Sequence, residues 1–191
     1  LQEQRQALFF RLQDDSASAC AQLSACLTLA EQWAGVSQEP VAVPCMEESV
    51  LSFLRSCEVL TSDWKQMLEQ AANAPEPENL LAYTPALDQE IRLFTMDMLY
   101  RYYLRAAYAE TPEAEILPLQ IAAFAVCIVL LYSRRLGFHT AEQRLRIWQL
   151  FVKEIEYDGD NLEELEWQLE TNAAFSPAAF RAYFASLGGV Q

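Results

Sequence analysis

The chain has 191 residues, 52% of them hydrophobic, with only 5 glycines and a formal net charge of −14. That apolar content excludes a disordered chain. The carboxylate surplus excludes nucleic acid as a partner, because phosphate contacts require a concentrated basic surface.

Abundant Ala, Leu, Glu, Gln and Arg favour helix along nearly the whole length, and the length suits one sizeable core. Gln2 to Gln13 carries Leu8, Phe9 and Leu12 at helical spacing. Ser16 or Ser18 can cap the next helix, whose stripe of Cys20, Leu23, Leu27 and Ala30 ends at Gly35. Ser37 to Pro44 reads as a loop. A third helix is predicted from Met46 to Val59 with Val50, Phe53, Leu54 and Cys57 inward, and Thr61-Ser62-Asp63 caps a fourth from Trp64 to Ala72. Pro75, Pro77 and Pro85 mark the one linker. It divides an N-terminal helical subunit (1–74) from a C-terminal bundle (86–191), and the two are expected to pack as one unit.

A fifth helix is predicted from Ala86 to Ala109, with Ile91, Phe94, Met98, Tyr102, Leu104 and Arg105 on a broad face. Thr111-Pro112 opens an acidic turn before an apolar helix from Leu117 to Leu136. Its unbroken apolar run, Ile121 to Tyr132, falls short of the roughly twenty residues of a membrane span, so it reads as the buried centre and not as a membrane segment. Thr140 with Gln143 is a capping-box pattern for a seventh helix reaching Tyr157. Asp158-Gly159-Asp160 breaks it, and an eighth helix runs from Asn161 to Glu170. Ser176-Pro177 starts the last helix, which Gly188-Gly189 ends. Trp33, Trp64, Trp148 and Trp167 are spaced as core or helix-contact residues. The expected architecture is all-α: an irregular bundle of eight or nine helices around Ile121–Leu131.

Five cysteines, Cys20, Cys26, Cys45, Cys57 and Cys127, make an odd number without a CxxC pair. Neither a disulfide framework nor a zinc or iron–sulfur site is expected from them. The single histidine, His139, precedes a helix cap and is assigned to hydrogen bonding there. No nucleophile elbow, Walker loop, GxGxxG turn or HExxH helix occurs. The opening Leu1, in place of Met, points to an excised or processed product.

Two constellations carry candidate chemistry. Tyr100, Tyr102, Tyr103 and Tyr108 surround Arg101 and Arg105, which lie four apart on one helix face. Such a pair can clamp a carboxylate or phosphate, or it can serve as an internal ion-pair hub meeting Glu90, Asp97 or Glu154. The second group is Lys153, Glu154, Glu156, Tyr157, Asp158 and Asp160. There Glu156 and Asp160 could hold a cation or orient an amine, although a solvated helix end explains the same residues. Glu163, Glu164, Glu166 and Glu170 read as a solvated face.

The segments Arg101-Tyr102-Tyr103-Leu104-Arg105, Leu150 to Tyr157 and Asn161 to Leu165 resemble the C-terminal half of bacterial flagellin lysine-N-methylases. The similarity runs from about Leu80 to Leu187, with a weaker echo over Gln4 to Trp33 and Leu51 to Trp64. It implies a cytoplasmic parent that transfers methyl groups from S-adenosylmethionine to flagellin lysines. This stretch would serve that parent as substrate-docking or scaffold region, without activity or cofactor of its own. Flagellin or another lysine-bearing protein is then the expected partner, with Arg101, Arg105, Tyr102, Tyr103 and Glu156 as candidate binding residues. The family's upstream CxxC-type cysteine cluster, a metal site, has no counterpart here. Its acidic helix often ends in Glu-His, where this chain has Glu156-Tyr157, so no catalytic residue carries across. The alternative of a different class is a non-enzymatic helical adaptor that binds a protein through an exposed apolar groove. A CxxC cluster encoded upstream of Leu1 would favour the enzyme.

Overall fold

The computed structural model describes residues 2–36, 45–75, 83–106 and 115–187, the side chains of 104–106 excepted. Among them are nine α-helices and no strand, an all-α bundle. The helices are α1 (Gln2–Gln13), α2 (Ala19–Ala34), α3 (Met46–Ser56), α4 (Ser62–Asn73), α5 (Pro85–Ala106), α6 (Leu117–Leu136), α7 (Ala141–Phe151), α8 (Gly159–Thr171) and α9 (Pro177–Ser186). A π-helical turn, Val152–Glu156, continues α7, and a 3₁₀ turn, Ala173–Phe175, leads into α9. The expected loop 37–44, most of the Pro-rich connection, Tyr108, the Thr111-Pro112 turn and Gly188-Gly189 lie outside the described residues.

The helix boundaries follow local chemistry. Ser18, not Ser16, caps α2 by accepting the Ala21 N–H. Gly35 closes that helix at φ 70°, a left-handed conformation that costs a glycine little. Thr140 and Gln143 form a reciprocal capping box at α7, and Ser176 caps α9 with Pro177 in its first turn. Three expected boundaries shift. α3 stops at Ser56, because Cys57 is already extended and Asn161 takes the next backbone N–H, that of Glu58, at 2.9 Å. α4 begins two residues early, directly behind its Thr61 cap. α8 starts at Gly159, because Asp158 accepts the Asn161 N–H at 2.8 Å; Asp158 sets the boundary and Gly159 is simply helical.

α6 is the axis of the bundle. Every side chain from Pro118 to Ser133 is buried, with α2, α3, α4, α5, α7, α8 and α9 all packed against this helix. Although α6 is long and apolar enough to cross a membrane, it lies mostly inside the protein. Phe53, Phe124 and Phe175 meet edge to face at 5.2–6.4 Å, and Trp64 packs on Tyr132 in the same way at 5.7 Å.

Arginines stitch the periphery. Arg92 on α5 donates to the carbonyls of Leu12, Asp14 and Ala17 and to Asp88, so it satisfies the end of α1 and its turn into α2. Arg134 and Arg135, at the end of α6, converge on the buried Glu47 of α3 at 2.8 and 3.1 Å. Trp167 departs from expectation: it is 55% exposed. The inward stripe of α8 is Asn161, Leu165 and Leu169, and position 167 falls on the far side of that helix.

Candidate functional site

An open, mainly apolar groove lies outside the core between α5 and α7. Its floor forms because both helices present aromatic rings at helical spacing. Phe94 stacks on Trp148 with ring centroids 3.6 Å apart, and Phe151 meets Phe94 edge-on at 6.4 Å. Arg144 fixes one end by forking Glu90 at 2.6 and 2.8 Å while donating to the His139 carbonyl. Arg101 fixes the other end by pairing with Glu156 of the π turn. Between these clamps lies a groove of about 660 Å³ whose lining includes Leu93, Phe94, Leu145, Trp148 and Val152. Leu93 and Leu145 remain 53% and 54% exposed although surrounded by apolar neighbours. The stripe Arg144, Ile147, Trp148 and Phe151 turns inward, which leaves Leu145 on the open shoulder. Glu90, Asp97 and Glu142 lie along the rim, and Glu142 makes no ion pair among the described residues.

The candidate residues read from the sequence are brought together only in part. Arg101 meets Asp97 one turn back at 2.8 Å, Glu156 across the helix interface, and Met98 Sδ at 3.0 Å. Desolvation alone would lower its pKa, but the neighbouring Glu156 and Asp97 override it and hold the guanidinium above its ordinary value. Tyr102 is buried beneath the Arg101 guanidinium, 6.0 Å from ring centroid to cation. Tyr103 is buried elsewhere in the core, and burial raises its hydroxyl pKa. Tyr100 is exposed and stacks with Arg5 of α1 at 5.1 Å. The side chain of Arg105 lies outside the described residues. Glu156 is 3% exposed at its side chain, with Oε2 given to Arg101 and Oε1 unpartnered. It is thus turned to the arginine, while Asp160 is exposed.

Arg101 is therefore an ion-pair hub. Its fit to the carboxylate of S-adenosylmethionine is poor, because an incoming carboxylate would meet two carboxylates already bound to the same guanidinium. Among the described residues no group of three His, Cys, Asp or Glu side chains converges as a metal site would. His139 is exposed, and its backbone N–H donates to Gln143.

Two residues hold roles other than those the sequence suggests: Glu154, expected at a solvated helix end or beside Arg101, and Asn161, expected only as a helix start. Glu154 is fully buried; it accepts the Leu60 N–H at 2.7 Å and the Thr61 hydroxyl. Asn161 is buried as well, with its amide donating to the Glu58 and Glu154 carbonyls at 2.8 Å each. A signal was present for Glu154: it stands three residues past Phe151 and seven past Ile147, on the apolar stripe itself. The groove also had a signal, in Leu93 and Leu145 lying off their helices' inward stripes.

Neither a family model, nor a curated protein, nor a solved structure matches this chain.

Proposed function

We propose that the chain is a protein-docking domain of a flagellin lysine-N-methylase-like parent, and that it receives a lysine-bearing segment of the substrate protein in the α5/α7 groove. One observation carries the reading. An open apolar groove, exposing Leu93 and Leu145, is bordered by carboxylates on a chain of net charge −14. Apolar surface supplies the burial, and the acidic field attracts a cationic segment and hastens encounter. The chain's part in methyl transfer is then positional: it holds the segment while chemistry proceeds elsewhere in the parent. Arg101 and Glu156 support this by fixing one wall of the groove and do not contact the donor.

Titrating the chain with monomeric flagellin tests the docking step. Saturable binding that weakens with added salt is expected, and no binding by a folded chain would overturn it. Incubating the full-length parent with flagellin and S-adenosylmethionine tests the enzyme class. Binding without methyl incorporation would leave the non-enzymatic adaptor as the reading, since an adaptor would use the same groove.

A further inference from the structure

Resting on the docking reading above, we infer that the occupant of the α5/α7 groove is a cationic amphipathic helix about three turns long. The first argument is backbone chemistry. Both walls are α-helices whose N–H and C=O groups are paired within the helix, save the first N–H groups of α7 at Ala141 and Glu142, so the groove offers mainly side chains. An extended segment laid there would bury backbone polar groups without partners, whereas a helix satisfies its own. The second argument is length. Ala141 to Val152 on one wall and Glu90 to Arg101 on the other each lie eleven positions apart, about 16 Å at helical rise, or three turns. The third is shape: Leu93 and Leu145 stand on opposite shoulders above the Phe94–Trp148 floor, and apolar side chains at i, i+3 or i+4, and i+7 of a third helix would seat between them.

Charge selects among helices. A second copy of this chain would bring its own acidic rim and a charge of −14 against the first, so self-association is opposed. A helix with lysine or arginine beside its apolar stripe meets Glu142, which makes no ion pair among the described residues, and Asp97, which among the described residues pairs with Arg101. Specificity thus rests on apolar spacing, and orientation on which flank carries the cations.

Three synthetic peptides of about a dozen residues test this by fluorescence anisotropy. One is a Leu/Lys amphipathic helix, one carries a central proline, and one exchanges lysine for glutamate. The first should bind the chain about tenfold or more tighter than the other two, and Leu93→Asp and Leu145→Asp should each weaken it by a similar factor. Glu142→Lys should weaken it less and flatten its salt dependence. Equal binding of the proline peptide would overturn the helical occupant, and equal binding of the glutamate peptide would overturn the charge argument. Sedimentation showing a dimer that Leu145→Asp dissolves would assign the groove to a second copy instead. The outcomes separate this inference from the functional reading. Flagellin binding unaffected by Leu93→Asp and Leu145→Asp keeps the docking domain and removes this groove. Tight binding of the Leu/Lys helix without flagellin binding keeps the groove and removes flagellin.

Discussion

Glu154 accepts the backbone N–H of Leu60 at 2.7 Å across ninety-four positions of sequence, so a carboxylate in the π turn after α7 organises the entry to α4. The same carboxylate accepts the hydroxyl of Thr61, the residue that caps α4. Removing it takes the acceptor from the Leu60 N–H and frees the cap. Glu154→Ala should therefore lower stability by about 2–4 kcal/mol, and Glu154→Gln by less, since an amide oxygen can still accept one bond. Urea unfolding midpoints measure both; an alanine variant as stable as the parent chain would show that this junction is incidental.

The Arg101 hub makes a different prediction. Arg101→Ala leaves the nearly buried Glu156 carboxylate without its cation, at a cost of about 1–3 kcal/mol. The double variant Arg101→Ala with Glu156→Gln should recover part of that loss, because no charge is then left unpaired. A ligand-binding arginine would behave otherwise: its loss would leave melting unchanged and abolish an affinity.

Val129 lies at the middle of α6 with no exposed surface. Val129→Asp places a carboxylate where neither water nor a cation reaches it, and the domain should not fold. A cooperative thermal transition at the temperature of the parent chain would show that α6 is not the core.

Thiol chemistry gives a fourth check. Cys45 is exposed, whereas Cys20, Cys26, Cys57 and Cys127 are buried. Burial pushes the Cys20, Cys26 and Cys57 thiols up to about 12 and Cys127 well above the usual range. A disulfide reagent at neutral pH should therefore label one thiol rapidly in the native chain and all five after denaturation. The sign of the pH effect follows. The buried thiols favour folding fully at any pH below about 9, the ordinary thiol value, and that contribution drains away as pH rises from about 9 towards 12. Unfolding midpoints that hold level between pH 9 and 11 would contradict it.

Local chemistry written in short motifs was legible in the sequence: the Thr140–Gln143 capping box, the Ser176-Pro177 start and the bounds of α6 all stand as expected. What escaped were polar residues whose partners are remote. Glu154 looked like part of an acidic helix end because its neighbours are charged, yet its partners, Leu60 and Thr61, lie on a loop no local pattern joins to it. Arg92 was hidden for the same reason, being spent on the carbonyls that end α1. Trp167 shows the converse error: residue type suggested the core, while the phase of α8 placed it outside. At the candidate site the sequence brought Arg101 and Glu156 to attention separately and left Arg101 open between a ligand clamp and an internal hub; only the fold pairs the two, with Asp97 as the second partner.

The burial of α6 also bears on how the protein is made. By composition this helix could enter a bilayer, with a mean hydropathy of 1.8. Its partners α2 to α5 precede it in the chain, whereas α7, α8 and α9 follow. On a chain emerging from the ribosome, part of its sheath is therefore ready when it appears and part is not. In that interval the surface of this greasy helix that those three cover stays bare, and speed in laying them down decides between folding and capture by a membrane or another nascent chain.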